Sequence, residues 1–328
     1  MSLPKIFLIV LFIENSLCKN CVCVPFWKCS DENSSTEDYD LVGFRSGCKS
    51  YFDVCCKIKC GMRRTESVIS EGTIRNRILG LENPANFAEF PWMLGVLNGK
   101  TYRCGASLIH PKVALTAAHC VQRDGFYKIR AGEWDWNSRK EPLKHQDRLA
   151  KKIIIHPRYD PYSLINDIAL IILDRDFQLT ENVGIVCLPP HNSQPLQEEC
   201  VVSGWGKTSH KSDKHQTVLN KAVFPIVPNS RCETALRRAH LGPLFRLHSS
   251  FMCAGGKEKD TCKGDGGSPL VCGIQGEEER YEQFGIVAWG LVCGTTDSPG
   301  VYVSVAQFVD WIDQQVVNEN LDNQIYKY

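Results

Sequence analysis

Cysteine content is the feature that most limits how this chain can fold. The chain has 17 cysteines in 328 residues, and eight of them lie within the first 60 positions. Such a density is typical of proteins that fold in an oxidising compartment. Because the cysteine-rich stretch is too short to bury much apolar surface, disulfide bonds are expected to hold it together. Zinc is a weaker alternative, since the stretch lacks paired CxxC motifs and a nearby histidine.

The N-terminus is consistent with that compartment. Lys5 precedes the apolar run 6–13, which is far shorter than the ~20 residues needed to span a bilayer. This pattern predicts a signal peptide over residues 1–18, cut after Cys18, and therefore secretion; a buried strand is the alternative. Removal of Cys18 leaves an even number of cysteines, as complete pairing requires. Asn33 begins the one N-x-S/T sequon and is a predicted glycosylation site.

Charge and composition exclude several classes of function. The 38 basic and 37 acidic residues nearly cancel, so the sequence predicts no binding to bare nucleic acid, which needs a basic surplus. The hydrophobic fraction of 43% and charged fraction of 23% are those of a globular protein. The sequence contains no later apolar run long enough for a membrane anchor, so no membrane span is predicted.

The chain divides into segments of different character. Residues 19–57 are dense in cysteine, and residues 58–77 are polar, basic and without periodicity, as in a linker. From residue 78 onward, short apolar runs such as 153–155 and 168–173 alternate with turn residues. That alternation predicts an all-β sandwich or barrel.

The end of the chain has a helical pattern followed by a polar tail. Apolar residues recur there at the spacing of one amphipathic helix. They are Val305, Phe308, Val309, Ile312 and Val316. The C-terminal tail is assigned to residues 317–328, and its polar part, residues 318–328, is predicted to fray.

Three segments of the β region resemble the trypsin/chymotrypsin family. They are LTAAHC at 115–120, NDIAL at 166–170 and CKGDGGSPL at 262–270. Their order and spacing match that family over residues 78–316. The resemblance implies an all-β fold of two six-stranded β-barrels with a C-terminal helix.

The family's catalytic mechanism needs a serine nucleophile, a histidine base and an aspartate that orients the histidine. By resemblance, His119 is the base and Asp167 the orienting acid. Gly266 occupies the nucleophile position, and glycine has no side chain that attacks a carbonyl. Ser268 lies two residues further on, several ångströms from that position, whereas attack tolerates displacements of about an ångström. The sequence therefore predicts a pseudoenzyme with vestigial His119 and Asp167.

Other features of the family are partly retained. The backbone N–H groups of Gly264 and Gly266 match an oxyanion hole. Asp260, Gly290 and Gly300 match the pocket that binds arginine or lysine in trypsin-like members, although a relic of that pocket is the more conservative interpretation.

An activation site also has a counterpart. Arg77 and Ile78 resemble the family's cleavage site between arginine and isoleucine. In the family, the freed amino group pairs with the acid before the nucleophile, which is Asp265 here.

The N-terminal segment has a six-cysteine pattern, formed by Cys21, Cys23, Cys29, Cys48, Cys55 and Cys56. In this pattern it resembles the clip domain of arthropod proteases. Together with the GDGGSP segment, it makes the chain similar to non-catalytic clip-domain serine protease homologs of the prophenoloxidase-activating factor 2-like group. Six cysteines alone allow 15 connectivities, so the pairing rests on the resemblance. It implies Cys21–Cys55, Cys23–Cys48 and Cys29–Cys56 in the clip domain, Cys104–Cys120, Cys200–Cys272, Cys232–Cys253 and Cys262–Cys293 in the protease-like domain, and Cys60–Cys187 between the linker and that domain.

A bound ion is a minor expectation. Some family members hold calcium in the loop that contains Glu133, Asp135 and Glu141 here. Scattered surface acids are the commoner explanation of such a group, and no other cofactor is expected.

The resemblance implies a secreted cofactor or adaptor in an extracellular immune protease cascade that leads to melanisation. The expected partners are prophenoloxidase and an activating clip protease, and an oligomer forming after cleavage is compatible with that role. A weak trypsin-like endopeptidase and a module that binds microbial surfaces are the alternatives.

Overall fold

The structure is a computed structural model in which the chain forms two units, Met1–Ile58 and Lys59–Tyr328. Each unit is described by itself below. The described residues are 21–25, 53–57, 59–64, 84–138, 140–206, 215–256, 265–290 and 298–328.

The described part of the first unit is a two-stranded antiparallel sheet. Strand β1 (Cys21–Pro25) pairs with β2 (Asp53–Lys57), and the register sets Cys23 opposite Cys55. The three predicted clip disulfides and Asn33 lie outside the described side chains, so they stay predictions.

The second unit begins with a closed six-stranded barrel, called the first barrel here. The strand order is β3-β4-β5-β8-β7-β6. Closure leaves the sheet without an exposed edge, which an open apolar sheet would have to protect. Its strands are β3 (Met93–Asn98), β4 (Thr101–His110), β5 (Val113–Thr116), β6 (Tyr127–Ala131), β7 (Gln146–Ile155) and β8 (Ala169–Leu173).

A second closed barrel follows, with strand order β10-β11-β14-β13-β12-β9. Large apolar side chains such as Phe224, Leu270 and Phe284 fill its interior. The two six-stranded barrels confirm the fold predicted from the resemblance. The strands of the second barrel are β9 (Glu199–Gly204), β10 (Asn220–Val227), β11 (Phe251–Ala254), β12 (Pro269–Gly273), β13 (Tyr281–Trp289) and β14 (Gly300–Ser304).

Helices are short except at the C-terminus. Helix α1 spans Ala118–Val121, and α2 spans Asn229–Leu236 before it continues as a π-helix over Arg237–Leu241. A 3-10 turn at Val305–Gln307 leads into α3 (Val309–Asn318). The apolar face predicted for the last helix is buried, which confirms a C-terminal helix. Within the described residues, no helix is long and apolar enough to cross a membrane.

The predicted fraying of the tail is wrong. The Tyr326 ring is 0% exposed, its carbonyl accepts the Leu188 N–H at 2.9 Å, and its hydroxyl donates to Asp313 at 2.6 Å. The Tyr328 hydroxyl donates to Glu282 at 2.8 Å. Aromatic residues among polar neighbours give no periodic signal, yet they find a buried place against the barrels.

Part of the predicted linker also belongs to the second unit. The Gly61 N–H donates to Ile185 at 2.7 Å, and its carbonyl accepts the Tyr281 N–H at 2.8 Å. Gly61 has a φ of 77°, and a Cβ there would overlap the Tyr281 carbonyl oxygen. Only glycine suits such a conformation and approach. The linker therefore begins as an ordered segment, whereas Arg77 lies outside the described residues.

Four disulfide bonds lie within the described residues of the second unit, and all four are predicted pairs. The predicted bond Cys262–Cys293 lies outside the described residues. The four are Cys60–Cys187, Cys104–Cys120, Cys200–Cys272 and Cys232–Cys253.

Candidate functional site

A histidine and an aspartate meet where two strands of the first barrel end. His119 lies in α1, just after β5, and Asp167 lies just before β8. Because β5 and β8 pair antiparallel, with Thr116 opposite Ala169, the segment after one strand lies beside the segment before the other. His119 Nδ1 lies 2.6 Å from Asp167 Oδ2, and the His119 backbone N–H donates to Oδ1 at 2.8 Å.

The carboxylate of this pair is fully buried. Asp167 is 0% exposed, and a buried carboxylate is costly unless donors surround it. The two N–H groups of His119 supply those donors. The contact of Nδ1 with Asp167 turns Nε2 toward position 266, which is the orientation of the base in a catalytic triad.

Gly266 lies in front of that base. A Cβ added to Gly266 would lie 2.8 Å from His119 Nε2 and 3.3 Å from Cε1. The backbone is held there because the Gly266 carbonyl accepts the Gly105 N–H at 2.9 Å. A side chain at position 266 would therefore meet the imidazole, but glycine brings no hydroxyl to it.

Ser268 is enclosed within the protein. Its side chain is 0% exposed, and a Cβ added to Gly105 would overlap its hydroxyl oxygen. On another side, the oxygen would lie 3.2 Å from a Cβ at Gly204. The hydroxyl thus fills the interior between β4 and β9, where a peptide carbonyl has no access.

The Asp265 carboxylate lies beside the end of β9. Its Oδ1 accepts the Gly206 N–H at 2.8 Å, and a Cβ at Gly206 would overlap the carboxylate. Burial raises the pKa of the Tyr102 phenol, and the nearby Asp265 carboxylate raises it further. The predicted partner of Asp265, the amino group of Ile78, lies outside the described residues, as does Arg77.

The predicted specificity pocket is only partly described. Gly290 follows β13 and Gly300 begins β14, and these paired strands bring the two glycines to the same end of the barrel. Trp289 packs edge-on against Phe251, with ring centroids 6.0 Å apart. Asp260 and the oxyanion-hole residue Gly264 lie outside the described residues, so their roles stay predictions.

The predicted calcium ligands Glu133, Asp135 and Glu141 do not all come together in the structure. Asp135 Oδ1 accepts the Asn137 N–H at 3.1 Å, whereas His145 joins Glu133 and Glu141. Glu133 Oε2 lies 3.0 Å from Arg130 Nη1 and 3.3 Å from His145 Nδ1.

This set suits calcium poorly, because calcium takes six to eight oxygen ligands. A histidine nitrogen stands in the group, and a guanidinium already neutralises Glu133. Burial raises the pKa of Glu141 to about 7, with a further contribution from Glu133. Burial and Arg130 lower the pKa of His145. His145 was missed in the sequence because nothing there shows that the ends of its loop meet.

Two family models match the chain. The trypsin model matches residues 81–312, and the model described as serine protease clip domain PPAF-2 matches residues 12–57. The chain therefore belongs to the trypsin family and carries a clip domain. The clip match begins inside the predicted signal peptide, so the boundary at residue 19 stays a prediction.

Several curated proteins are similar to this chain over most of its length. The chain is 43% identical to phenoloxidase-activating factor 2 of Galleria mellonella, over 82% of this chain and 92% of that protein. It is 32% identical to the inactive CLIP domain-containing serine protease A28 of Anopheles gambiae, over 94% and 93%. It is also 32% identical to the A8 protein of that mosquito, over 91% and 89%. Two of these three relatives are named inactive.

Proposed function

We propose that the chain is a secreted, catalytically inactive serine protease homolog that acts as a cofactor or adaptor in an extracellular immune protease cascade. One observation carries the proposal: the position that faces His119 Nε2 is Gly266, without a hydroxyl. Loss of the nucleophile in a triad enzyme lowers turnover by about 10⁶-fold. The retained His119–Asp167 pair has no group to activate.

The relatives support the type of cascade. Phenoloxidase-activating factor 2 of Galleria mellonella is named for phenoloxidase activation, and a related factor 3 of Holotrichia diomphalia is 35% identical to this chain. By this likeness, the partners are prophenoloxidase and the clip protease that activates it. Secretion fits the four disulfide bonds of the second unit, since such bonds persist in oxidising compartments.

Cleavage at Arg77 is compatible with an adaptor whose clip domain stays attached to the protease-like domain. Cys60 precedes Arg77 in the chain, and its bond to Cys187 spans 127 positions. After cleavage at Arg77, that bond holds the N-terminal fragment to the protease-like domain. One molecule then presents a clip domain and a protease-like surface together, whether it acts alone or as an oligomer.

A reactive-serine probe tests the catalytic part. The full-length protein is treated with a fluorophosphonate before and after cleavage at Arg77, and hydrolysis of arginine and lysine esters is followed in parallel. No labelling and no turnover above background are expected. Robust turnover that is lost in Ser268→Ala would establish the weak endopeptidase instead.

Reconstitution tests the cofactor part. Prophenoloxidase and its activating clip protease are mixed with and without the cleaved protein, and the rate of phenol oxidation is measured. Activity is expected to rise only when the cleaved protein is present, and Arg77→Gln, which resists cleavage, is the matched control. Equal rates with and without the protein would refute the cofactor role while leaving the inactive site intact.

A further inference from the structure

The C-terminal tail passes beside the Cys60–Cys187 bond. The Tyr326 carbonyl accepts the N–H of Leu188, the residue that follows Cys187, at 2.9 Å. The Lys327 carbonyl oxygen lies 3.8 Å from Cys60 Sγ. Both cysteines are almost fully buried, with exposures of 1% and 0%. The tail therefore forms one wall around this disulfide bond.

Another wall belongs to the second barrel and is held more firmly than the tail. The Gly61 carbonyl accepts the N–H of Tyr281, in β13, at 2.8 Å, and a Cβ at Gly61 would lie 2.9 Å from Cys187 Sγ. Beyond α3 the tail is neither helix nor strand, and two of its side chains are attached through the Asp313 carboxylate. Segments of this kind open at a lower free energy than barrel strands do. The tail is therefore the wall that can open while the barrel stays closed.

A guanidinium lies beside both sulfur atoms of the bond. Arg280 Nη2 is 3.8 Å from Cys60 Sγ and 3.8 Å from Cys187 Sγ, while Nη1 donates to Glu277 at 3.0 Å. The Tyr328 ring covers the guanidinium, with its centroid 5.9 Å from Arg280 Cζ. A cation next to a sulfur stabilises the thiolate, and a more stable thiolate leaves a disulfide faster. The bond is therefore suited to exchange once a thiol reaches it.

We propose that the tail shields the Cys60–Cys187 bond, and that a small thiol breaks this bond when the tail is displaced. The thiolate of the small thiol attacks Cys60 Sγ, the S–S bond breaks, and Cys187 leaves as a thiolate beside Arg280. A second small thiol then attacks the sulfur of the bound one, which forms a small disulfide and frees the Cys60 thiolate. The two small thiols lose the two electrons that the protein's bond gains, and their two protons pass to Cys60 and Cys187.

The consequence is a clip domain that can be released. Once Arg77 has been cut, as proposed above, the Cys60–Cys187 bond holds the N-terminal fragment to the protease-like domain. With the tail in place the adaptor stays in one piece, and with the tail displaced a small thiol frees the clip domain. The shielding itself does not depend on cleavage, so it is tested separately from the proposed function.

The experiment follows each disulfide bond in the uncleaved full-length protein. Reduced glutathione is added without denaturant, the freed thiols are alkylated at intervals, and mass spectrometry gives the rate at which each bond is lost. Deletion of residues 325–328 should speed the reduction of Cys60–Cys187 at least about tenfold. Cys200–Cys272 joins β9 to β12 and is fully buried, so it is the internal control and should be lost at its wild-type rate.

A second variant keeps the tail but loosens it. Asp313→Ala removes the acceptor of two tail side chains and should raise the rate for Cys60–Cys187 about three- to tenfold. The matched control is Asp310→Ala on the same helix, whose side chain is 76% exposed, and it should leave the rate unchanged. If the deletion speeds the loss of both bonds, the whole domain is loosened and Asp313→Ala gives the decisive reading. Acceleration of both bonds in Asp313→Ala as well, or an unchanged Cys60–Cys187 rate in either tail variant, would overturn the proposal.

Discussion

The two barrels contribute unequally to the cleft between His119 and Gly266. The first barrel supplies a complete base, with His119 Nδ1 2.6 Å from a fully buried Asp167. The second supplies Gly266, which places only backbone in front of that base. The contact between His119 and Asp167 is therefore formed even though position 266 is a glycine. Asp167 binds two N–H groups next to the ends of β5 and β8, so the pair also has a structural use.

The barrels differ in how the chain ends attach to them. The ordered start of the linker lies along β13 through the bonds between Gly61 and Tyr281, and Tyr328 binds Glu282 on the same strand. Both ends of the second unit are thus secured to the second barrel.

Restoring the nucleophile should give the largest change. In Gly266→Ser combined with Ser268→Gly, a serine faces the intact His119–Asp167 pair. Ester hydrolysis of the cleaved variant should rise at least about a hundredfold above the wild-type background, still well below the ~10⁶ of a complete triad. The shortfall is expected because a Cβ only 2.8 Å from Nε2 makes the imidazole shift.

The control for that variant adds His119→Ala, which should abolish both hydrolysis and fluorophosphonate labelling. If the folded double variant is as inert as the wild type, the second barrel differs from a protease beyond position 266. The comparison of the barrels would then extend to the whole cleft.

Loss of the Cys60–Cys187 bond should have the next largest effect. The bond closes a loop of 127 positions, so Cys60→Ser with Cys187→Ser should lower the free energy of unfolding by about 4–5 kcal/mol. After cleavage at Arg77, the variant's fragments should separate without reductant, whereas the wild type should separate only when reduced.

The matched control is Cys232→Ser with Cys253→Ser, whose bond closes only 21 positions. It should lose about 3 kcal/mol, and its cleaved fragments should stay together. If the wild-type fragments part without reductant, the bond does not tether the clip domain and the two-surface adaptor is wrong.

The sequence predicted what lies in contiguous motifs. His119, Asp167 and Gly266 each stand in a short segment next to its own strand, so their meeting follows from the fold. The burial of the C-terminal tail was not predictable, because it belongs to no motif. Tyr326 is buried against Leu188, far away in the chain, and neither residue carries a signal of the other.

The group of Glu133, Glu141 and His145 illustrates the same limit within one loop. Glu133 and Glu141 stand out as acids, but only the pairing of β6 with β7 brings His145 beside them. Asp135 has the same charge in the sequence, yet its carboxylate turns to the Asn137 N–H. Local backbone bonds thus decide which acid joins the group.

Removal of the orienting acid should have a moderate effect on stability. Asp167→Ala leaves two N–H groups of His119 without an acceptor, and each buried unpaired donor costs about 1–3 kcal/mol. A loss of about 2–4 kcal/mol is expected in denaturant unfolding. Asp124→Ala, at an exposed loop position, should change stability by no more than about 0.5 kcal/mol. Equal stability of both variants would mean that the first barrel does not need its aspartate.

The smallest effect concerns the tail on the second barrel. Tyr326→Phe keeps the buried ring but removes the hydroxyl that donates to Asp313 at 2.6 Å. A bond of this kind contributes about 1–2 kcal/mol, and denaturant unfolding should show that loss with an unchanged slope.

Tyr328→Phe is the matched control. Because its ring is 53% exposed, a loss below about 1 kcal/mol is expected. If Tyr328→Phe loses more stability than Tyr326→Phe, the hydroxyl of Tyr328 holds the tail more strongly than that of Tyr326.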